Sequence, residues 1–226
     1  MSKIIHMDQT CGVKGRSIFD NGHLIRNISD YIEQKDLSCA FINLDQEKAF
    51  DRVNYKFMQK VLEYFGFHPD FIKWVTIFYH DISSSVLVNN FISEPFPISR
   101  GIRQGCSLSP LLYVIVYEPF ATKIRNDSEI IGIQVPGATE ACKISLFADD
   151  STGFCCTDKS IQQYLLWSHM YERASGAKIN YSKSNGMFMG KWRTRSDHPF
   201  GISWIDRQKI VGFLFGHKLN NDDHWH

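Results

Sequence analysis

The chain has 226 residues, 43% hydrophobic and 14% aromatic, a globular composition able to bury a core in one large domain or one domain plus part of another. Lys and Arg number 25 against 24 Asp and Glu, so a net charge of +1 argues neither for nor against a polyanionic partner. There is no signal-peptide core, the longest apolar run (Leu111 to Tyr117) is too short to span a bilayer, and the six cysteines form no C-x-x-C. The expected setting is therefore reduced and intracellular, cytoplasm or nucleus, with no secretion and no membrane role.

The first clear element is SCAFINLD, 38 to 45, an apolar run bounded by charge, which predicts a buried strand ending at Asp45. Beyond it, Phe57, Met58, Val61, Leu62 and Phe65 have helical spacing, with Asn54 as cap and Gly66 as stop. A second helix follows Pro69, with Phe71, Ile72, Val75, Phe78 and Tyr79 on one face. VLVNNFISEPFPI reads as two strands around Asn89 and Asn90, residues that tolerate the positive φ of a tight hairpin.

The loop RGIRQGCS leads into a helix for which Ser109 suits the cap and Pro110 the first turn, while Pro119 is expected to kink it or shift its register. IIGIQV and ACKISLFA pair across a PGATE turn, and FADDST makes another tight turn, placing Asp149 and Asp150 on a hairpin tip. A helix from about Lys159 to Ser175 ends at Gly176, and two short strands, NGMFMG and KIVGFLFG, follow. Strands joined by hairpins and interleaved with helices imply an α+β fold: an antiparallel sheet of the split βαβ kind with helices packed on one face.

Two carboxylates about 4 Å apart repel by roughly 4 kcal/mol at an effective dielectric near 20. FADDST contains no Lys or Arg, so neutralisation must come from raised pKa values, a partner elsewhere in the chain or a bound cation. Taken alone, an Asp pair on a turn is unremarkable, because Asp is common in turns. Between Lys183 and Lys218, seven basic residues face only Asp197 and Asp206, with Trp192 and Trp204 interleaved, either a polyanion-binding patch or a solvated charged face.

In order along the chain, DQEKAFD from Asp45, RGIRQGCSLSP from Arg100, FADD from Phe147, SGAKINYSKS from Ser175 and VGFLFG from Val211 resemble the polymerase palm of non-LTR (LINE-type) retrotransposon reverse transcriptases. Upstream, QTCGVKGRSIFDN from Gln9 to Asn21 is similar to the segment before the first catalytic strand of that family. The resemblance runs from about residue 9 to 216 and implies an RNA-directed DNA polymerase using two Mg²⁺ ions, with Mn²⁺ as a substitute, an RNA template, a DNA primer and dNTPs.

Residue by residue, it implies that Asp45, Asp149 and Asp150 hold the metals, Asp149 bridging the ions with Asp45 and Asp150 supporting. Phe50 falls where an aromatic lies against the sugar of the incoming nucleotide, Gln104 and Gly105 where nucleotide and template base are approached, and Lys183 near the triphosphate. Gly212, Phe213, Leu214 and Gly216 match the strand that grips the primer. Read without the family, Phe50 is a core aromatic, Gln104 a polar loop residue and Lys183 a surface lysine. Arg100 and Arg103 are either phosphate contacts or solvated, and Lys14 or Arg16 is a candidate template contact.

The implied layout is a fingers–palm remnant at 1–37, a palm at 38–190, and a primer grip with the start of a thumb connection at 191–226. Fingers strands and helical thumb are not matched, so the expectation is a piece of an element-encoded polyprotein, with an endonuclease among its candidate other parts. The alternative is a silent relic that at most binds nucleic acid.

Overall fold

The sequence reading leaves Ile18–Lys35 unassigned, and the computed structural model, which describes residues 4–216, makes it the first helix, α1. The Asp20 carboxylate accepts from the Ser17 N–H at 2.7 Å at its start, and Ile25, Ile28 and Ile32 are buried at helical spacing. Strand β1 (Ser38–Leu44) ends just before Asp45, as its apolar run predicts. A single turn, α2 (Ala49–Arg52), precedes α3 (Tyr55–Tyr64), where the Asn54 side chain accepts from the N–H groups of Lys56 and Phe57 at 2.9 and 3.1 Å.

In α4 (Pro69–Phe78), Ile72 and Val75 are buried, as is Tyr79 just beyond it. Phe78, expected on that face, is 61% exposed, outside the buried stripe of Ile72 and Val75. Next come four two-residue strands, β2 (Ser83–Ser84), β3 (Leu87–Val88), β4 (Phe91–Ile92) and β5 (Phe96–Pro97). Strand β3 pairs with β4 around Asn89 and Asn90, whose φ values of 48° and 67° are those the hairpin demands.

Helix α5 (Ser109–Asn126) begins one residue earlier than expected: Leu108 is its N-cap, and the Ser109 hydroxyl donates to the Arg103 carbonyl. It continues through Pro119 without a break. Ile133 and Cys142 form the one bridge between the two segments flanking PGATE, after which come β6 (Ile144–Phe147), β7 (Asp150–Cys155) and α6 (Asp158–Ser175). The remaining strands are β8 (Asn185–Gly190), β9 (Ser203–Trp204), β10 (Arg207–Ile210) and β11 (Phe213–Gly216). KIVGFLFG, expected as one strand, is thus a hairpin: Val211 and Gly212, at φ 45° and 87°, turn the chain between β10 and β11.

The main sheet has the order β6-β7-β1-β8-β9, antiparallel except for the β8–β9 edge, with β1 central. Side chains alternate strictly along β1. Ala40, Ile42 and Leu44 join the larger core with α3, α5 and α6, while Cys39 and Phe41 join the second core with α1 and the β10–β11 hairpin. Beneath α6 the Tyr164 ring lies so close to Gly153 that an added Cβ would sit 2.7 Å from it, so a glycine in β7 sets the helix-to-sheet spacing. This is the expected α+β palm-type sheet, with α1 added on its opposite face.

No helix among the described residues is long and apolar enough to cross a membrane. Residues 217–226, the end of the 191–226 stretch expected to hold the primer grip and the start of a thumb connection, lie outside the described residues, as do residues 1–3.

Candidate active site

Three segments converge where β1 ends. The last β1–β7 pair is Leu44 with Ser151, so one further step in the same register sets Asp45 opposite Asp150. The β6–β7 hairpin closes on Phe147 and Asp150, leaving Ala148 and Asp149 as its loop, with Ala148 at a φ of 53°. Burial pushes the Asp149 carboxyl above the usual carboxylate range, and the nearby Asp45 adds to the rise. Asp150, more open as a residue, is shifted the same way by local crowding first and then by Asp149 and Asp45.

Main-chain bonds hold Asp45 to the loop that carries Lys183. The Asp45 N–H donates to the Ser184 hydroxyl at 3.0 Å, and its carbonyl accepts from the Asn180 N–H at 2.9 Å. The Lys183 N–H closes that turn on the Asn180 carbonyl at 3.0 Å. The Lys183 side chain is exposed and makes no ion pair among the described residues. Next to this loop, Glu47 bonds Lys178 and Arg52, which lower its carboxyl to about 2.

On the other flank, the Phe50 ring stacks on Tyr113 with centroids 4.4 Å apart and planes 19° from parallel. The Tyr113 hydroxyl donates to Gln46 Oε1 at 3.1 Å, and Phe50 is a packed, half-buried aromatic. The RGIRQG loop is laced to the same turn: Ile102 N–H donates to the Phe50 carbonyl at 2.7 Å, and Gln104 Nε2 to Asp51 Oδ1 at 3.1 Å. At Gly101 the φ is +101°, and a Cβ would meet the Asp51 carbonyl oxygen at 2.9 Å, so that glycine serves close approach of two backbones within the chain. Gly105 instead faces open space.

Several expected contacts look different in the structure. The Arg16 guanidinium is committed internally, to the carbonyls of Ile5, His6 and Gln9, which removes it as a template contact. Lys14, Arg100 and Arg103 stay exposed. Of the basic cluster from Lys183, Arg193 pairs with Glu33, and Arg195 pairs with Asp158 and Asp197 while lying over the Phe188 and Trp192 rings. Two of its seven basic residues are therefore held by internal pairs. The presumptive primer-grip residues sit on the β10–β11 hairpin: Gly212 at the turn, Leu214 and Gly216 in β11, and Phe213 edge-on to Phe19 of α1 at 6.1 Å.

The sequence reading gives no individual role to Tyr113, Gln46, Ser184 or Gln9, although the last three lie inside the motifs that carry the resemblance. Tyr113 had a legible signal, since it and Tyr117 stand four apart on the helix following RQGCSLSP. Ser184 and Gln9 had no such spacing, because their partners are distant in sequence.

The donor set at the end of β1 consists of carboxylate oxygens, two of them on groups whose carboxyls desolvation and neighbouring negative charge raise above the usual carboxylate range. That suits a hard divalent cation, which accepts one or two carboxylates and leaves its other positions to water and phosphate. Among the described residues no three His, Cys, Asp or Glu side chains form a ready-made metal cage.

The profile of the family described as "Reverse transcriptase (RNA-dependent DNA polymerase)" matches residues 1–215. The transposon TX1 uncharacterized 149 kDa protein of Xenopus laevis is 34% identical over 216 residues, 95% of this chain and 16% of that protein. The Pol polyprotein of the type-2 retrotransposable element R2DM of Drosophila melanogaster is 27% identical over 164 residues, 73% of this chain and 15% of that protein. The chain therefore spans about a sixth of the length of these relatives. Among solved structures, apo telomerase from Candida tropicalis, truncated from its C-terminal domain, shares the fold with a TM-score of 0.63 at 13% identity, over 92% of this chain and 39% of that one. A match across nearly the whole chain, with retrotransposon proteins as its relatives, places this chain in the reverse transcriptase family, as its LINE-type motifs imply.

Proposed function

We propose that this chain carries the nucleotidyl-transfer centre of an RNA-directed DNA polymerase, extending a DNA primer on an RNA template with dNTPs. The observation that carries the proposal is the β1–β7 register, which brings Asp45 to the Asp149–Asp150 hairpin across more than a hundred residues of sequence. Asp45 and Asp149 would hold divalent ions, Mg²⁺ in the first instance, with Asp150 supporting them. Two such ions, when bound, supply a more acidic primer 3′-hydroxyl and a clamp for charge on the transferred phosphoryl group.

The chain's own groups account for the rest. Phe50, braced by Tyr113, presents a ring that excludes a 2′-hydroxyl and so selects dNTPs. Gln104 and Gly105 border the open side where template and nucleotide lie. Lys183, held beside Asp45 by the turn at Asn180, offers a cation to the leaving group. Gly212, Phe213, Leu214 and Gly216 support the primer end, with Phe213 seated on α1. Residues 38–190 form the palm in this reading, 1–37 its junction with the fingers, and 191–216 the primer-grip region, within an element-encoded polyprotein.

The test is primer extension on poly(rA)/oligo(dT), with the chain alone and within its longer reading frame, each with its Asp149→Asn counterpart. The proposal expects dTTP incorporation that Asp149→Asn removes; incorporation retained by the variant would falsify the assignment. Phe50→Ala is expected to raise ribonucleotide use about tenfold or more relative to dNTP, and an unchanged ratio removes the sugar-gate role.

A further inference from the structure

Apart from the three aspartates, a buried and fully bonded side chain at the hairpin belongs to the irregular N-terminal segment. Residues 8–10 run beside β6 as an extra edge: the Leu146 N–H donates to the Asp8 carbonyl at 2.8 Å and the Thr10 N–H to the Leu146 carbonyl at 3.1 Å. Between them Gln9 is only 1% exposed. Its Oε1 accepts from the N–H groups of Ala148 and Cys11, both at 3.0 Å, and its Nε2 donates to the Ala148 carbonyl at 3.2 Å. One primary amide thus engages both polar groups of a single loop residue. Only Asn shares that donor and acceptor pair, on an arm one methylene shorter.

Ala148 is where such a grip matters. It is the first of two hairpin loop residues and has a φ of 53°, a conformation for which glycine is the usual choice and which costs an L-residue roughly 1–2 kcal/mol. The very next residue is Asp149. The closing pair Phe147–Asp150 demands a positive φ of the first loop residue, yet that residue is an alanine, which does not favour it, so the fold around the loop has to help hold it.

The gripping segment is itself fixed. Arg16 ties the carbonyls of Ile5, His6 and Gln9 together, Asp8 pairs with Arg125 of α5 at 3.0 Å, and the Thr10 hydroxyl donates to buried Asn21 of α1, which in turn donates to the Ser145 hydroxyl at 2.8 Å and the Leu146 carbonyl at 3.0 Å.

We propose that Gln9 is a positioning residue for Asp149: its amide clamps Ala148 in the left-handed conformation that fixes where the neighbouring carboxylate stands. The functional part rests on the reading above that Asp149 holds a divalent ion. With the clamp lost, the loop relaxes among other turns, the carboxylate loses its place and ion affinity falls. Template binding, which does not use the loop, stays as it was, so kcat drops while KM for primer–template holds.

The test uses the intact chain with Gln9→Met, similar in size but unable to form the hydrogen bonds, and Gln9→Glu, which keeps the acceptor and loses the donor. Amide hydrogen exchange at Ala148 reads the clamp directly, with the Phe154 amide, bonded to the Lys143 carbonyl elsewhere on the hairpin, as internal control. Exchange at Ala148 is expected to quicken about tenfold in Gln9→Met and less in Gln9→Glu, with Phe154 unchanged. Unchanged exchange at Ala148, or equal quickening at Phe154, overturns the clamp; if Gln9→Met does not fold, Gln9→Glu is held to the same criterion.

Mn²⁺ binding, followed by paramagnetic resonance of the free ion, reads the consequence, with Asp149→Asn alongside. About tenfold weaker binding is expected in Gln9→Met. If Asp149→Asn weakens Mn²⁺ binding and Gln9→Met does not, positioning is overturned while the metal reading stands. If Asp149→Asn has no effect, the metal reading fails and takes the positioning role with it, whereas the clamp is still judged by the Ala148 amide.

Discussion

Two hairpins with two-residue loops sit at opposite extremes of this molecule. In β3–β4 both loop residues are Asn at positive φ, and the flanking Leu87, Val88, Phe91 and Ile92 are all exposed, Phe91 at 81%. In β6–β7 an alanine takes the positive φ, the flanking Leu146 and Ser151 are buried, and the loop is held from the distant Gln9. The first loop is specified by its own residues. The second is specified by the surrounding fold, and that is the loop carrying the acidic pair. A turn whose geometry is imposed from elsewhere can hold a side chain where local preference would not leave it.

The largest expected effect that separates the two is chemical. Asp149→Asn should lower templated incorporation by about 10³-fold or more, whereas Asn90→Ala should leave it within about twofold, both read by single-turnover extension. Next comes the backbone. Ala148→Pro demands a φ near −65° where the loop holds 53° and deletes the N–H bonded to Gln9, so it should cost about 3 kcal/mol or more in urea unfolding. Asn89→Pro violates its own loop as badly, yet with so little buried around it the urea midpoint should move by less than about 1 kcal/mol. Equal losses would erase the contrast.

A smaller effect is tied to pH. The folded carboxyls of Asp149 and Asp150 are raised, so the folded state binds protons more tightly than the unfolded one, and their contribution to stability falls as pH rises through the range from the ordinary Asp value up to the raised one. In metal-free buffer at pH 7, Asp149→Asn should therefore raise stability by on the order of 1 kcal/mol, or about 2–4 °C in Tm. The gain should vanish below about pH 4, where both states of the native chain are protonated. A divalent cation should cancel it at pH 7 by stabilising the native chain alone. Smallest of all, Ala148→Gly should stabilise by about 0.5–1 kcal/mol, while Asn90→Gly should change little because Asn already tolerates its φ.

The same contrast explains what could be read in advance. Central strand β1, helices α3 and α6, the paired Asn loop and the hairpin bearing Asp149 and Asp150 follow from period, caps and turn residues, all local signals. Helix α1 also had such signals, Asp20 three residues after Ser17 and Ile25, Ile28 and Ile32 in step, but its polar residues drew attention as a motif and the period went unused. KIVGFLFG was opaque because both strands of its hairpin are apolar enough to pass for one, and Val211 is a poor advertisement for a turn. Phe78 belonged to a plausible helix face and still ended exposed, since periodicity says which residues align and not how wide the covering layer is. At the site, the aspartates were legible as types and their meeting only as a resemblance, because the register between β1 and β7 is decided by packing across the whole sheet.

The bonds from the Asp45 main chain to Asn180 and Ser184 carry a practical consequence for protein engineering. Transplanting the strand that ends in this acid into another scaffold would sever its backbone from the turn that anchors it. A working graft must bring residues 180–184 along as a second, non-contiguous insert, so the smallest portable unit is two pieces of chain.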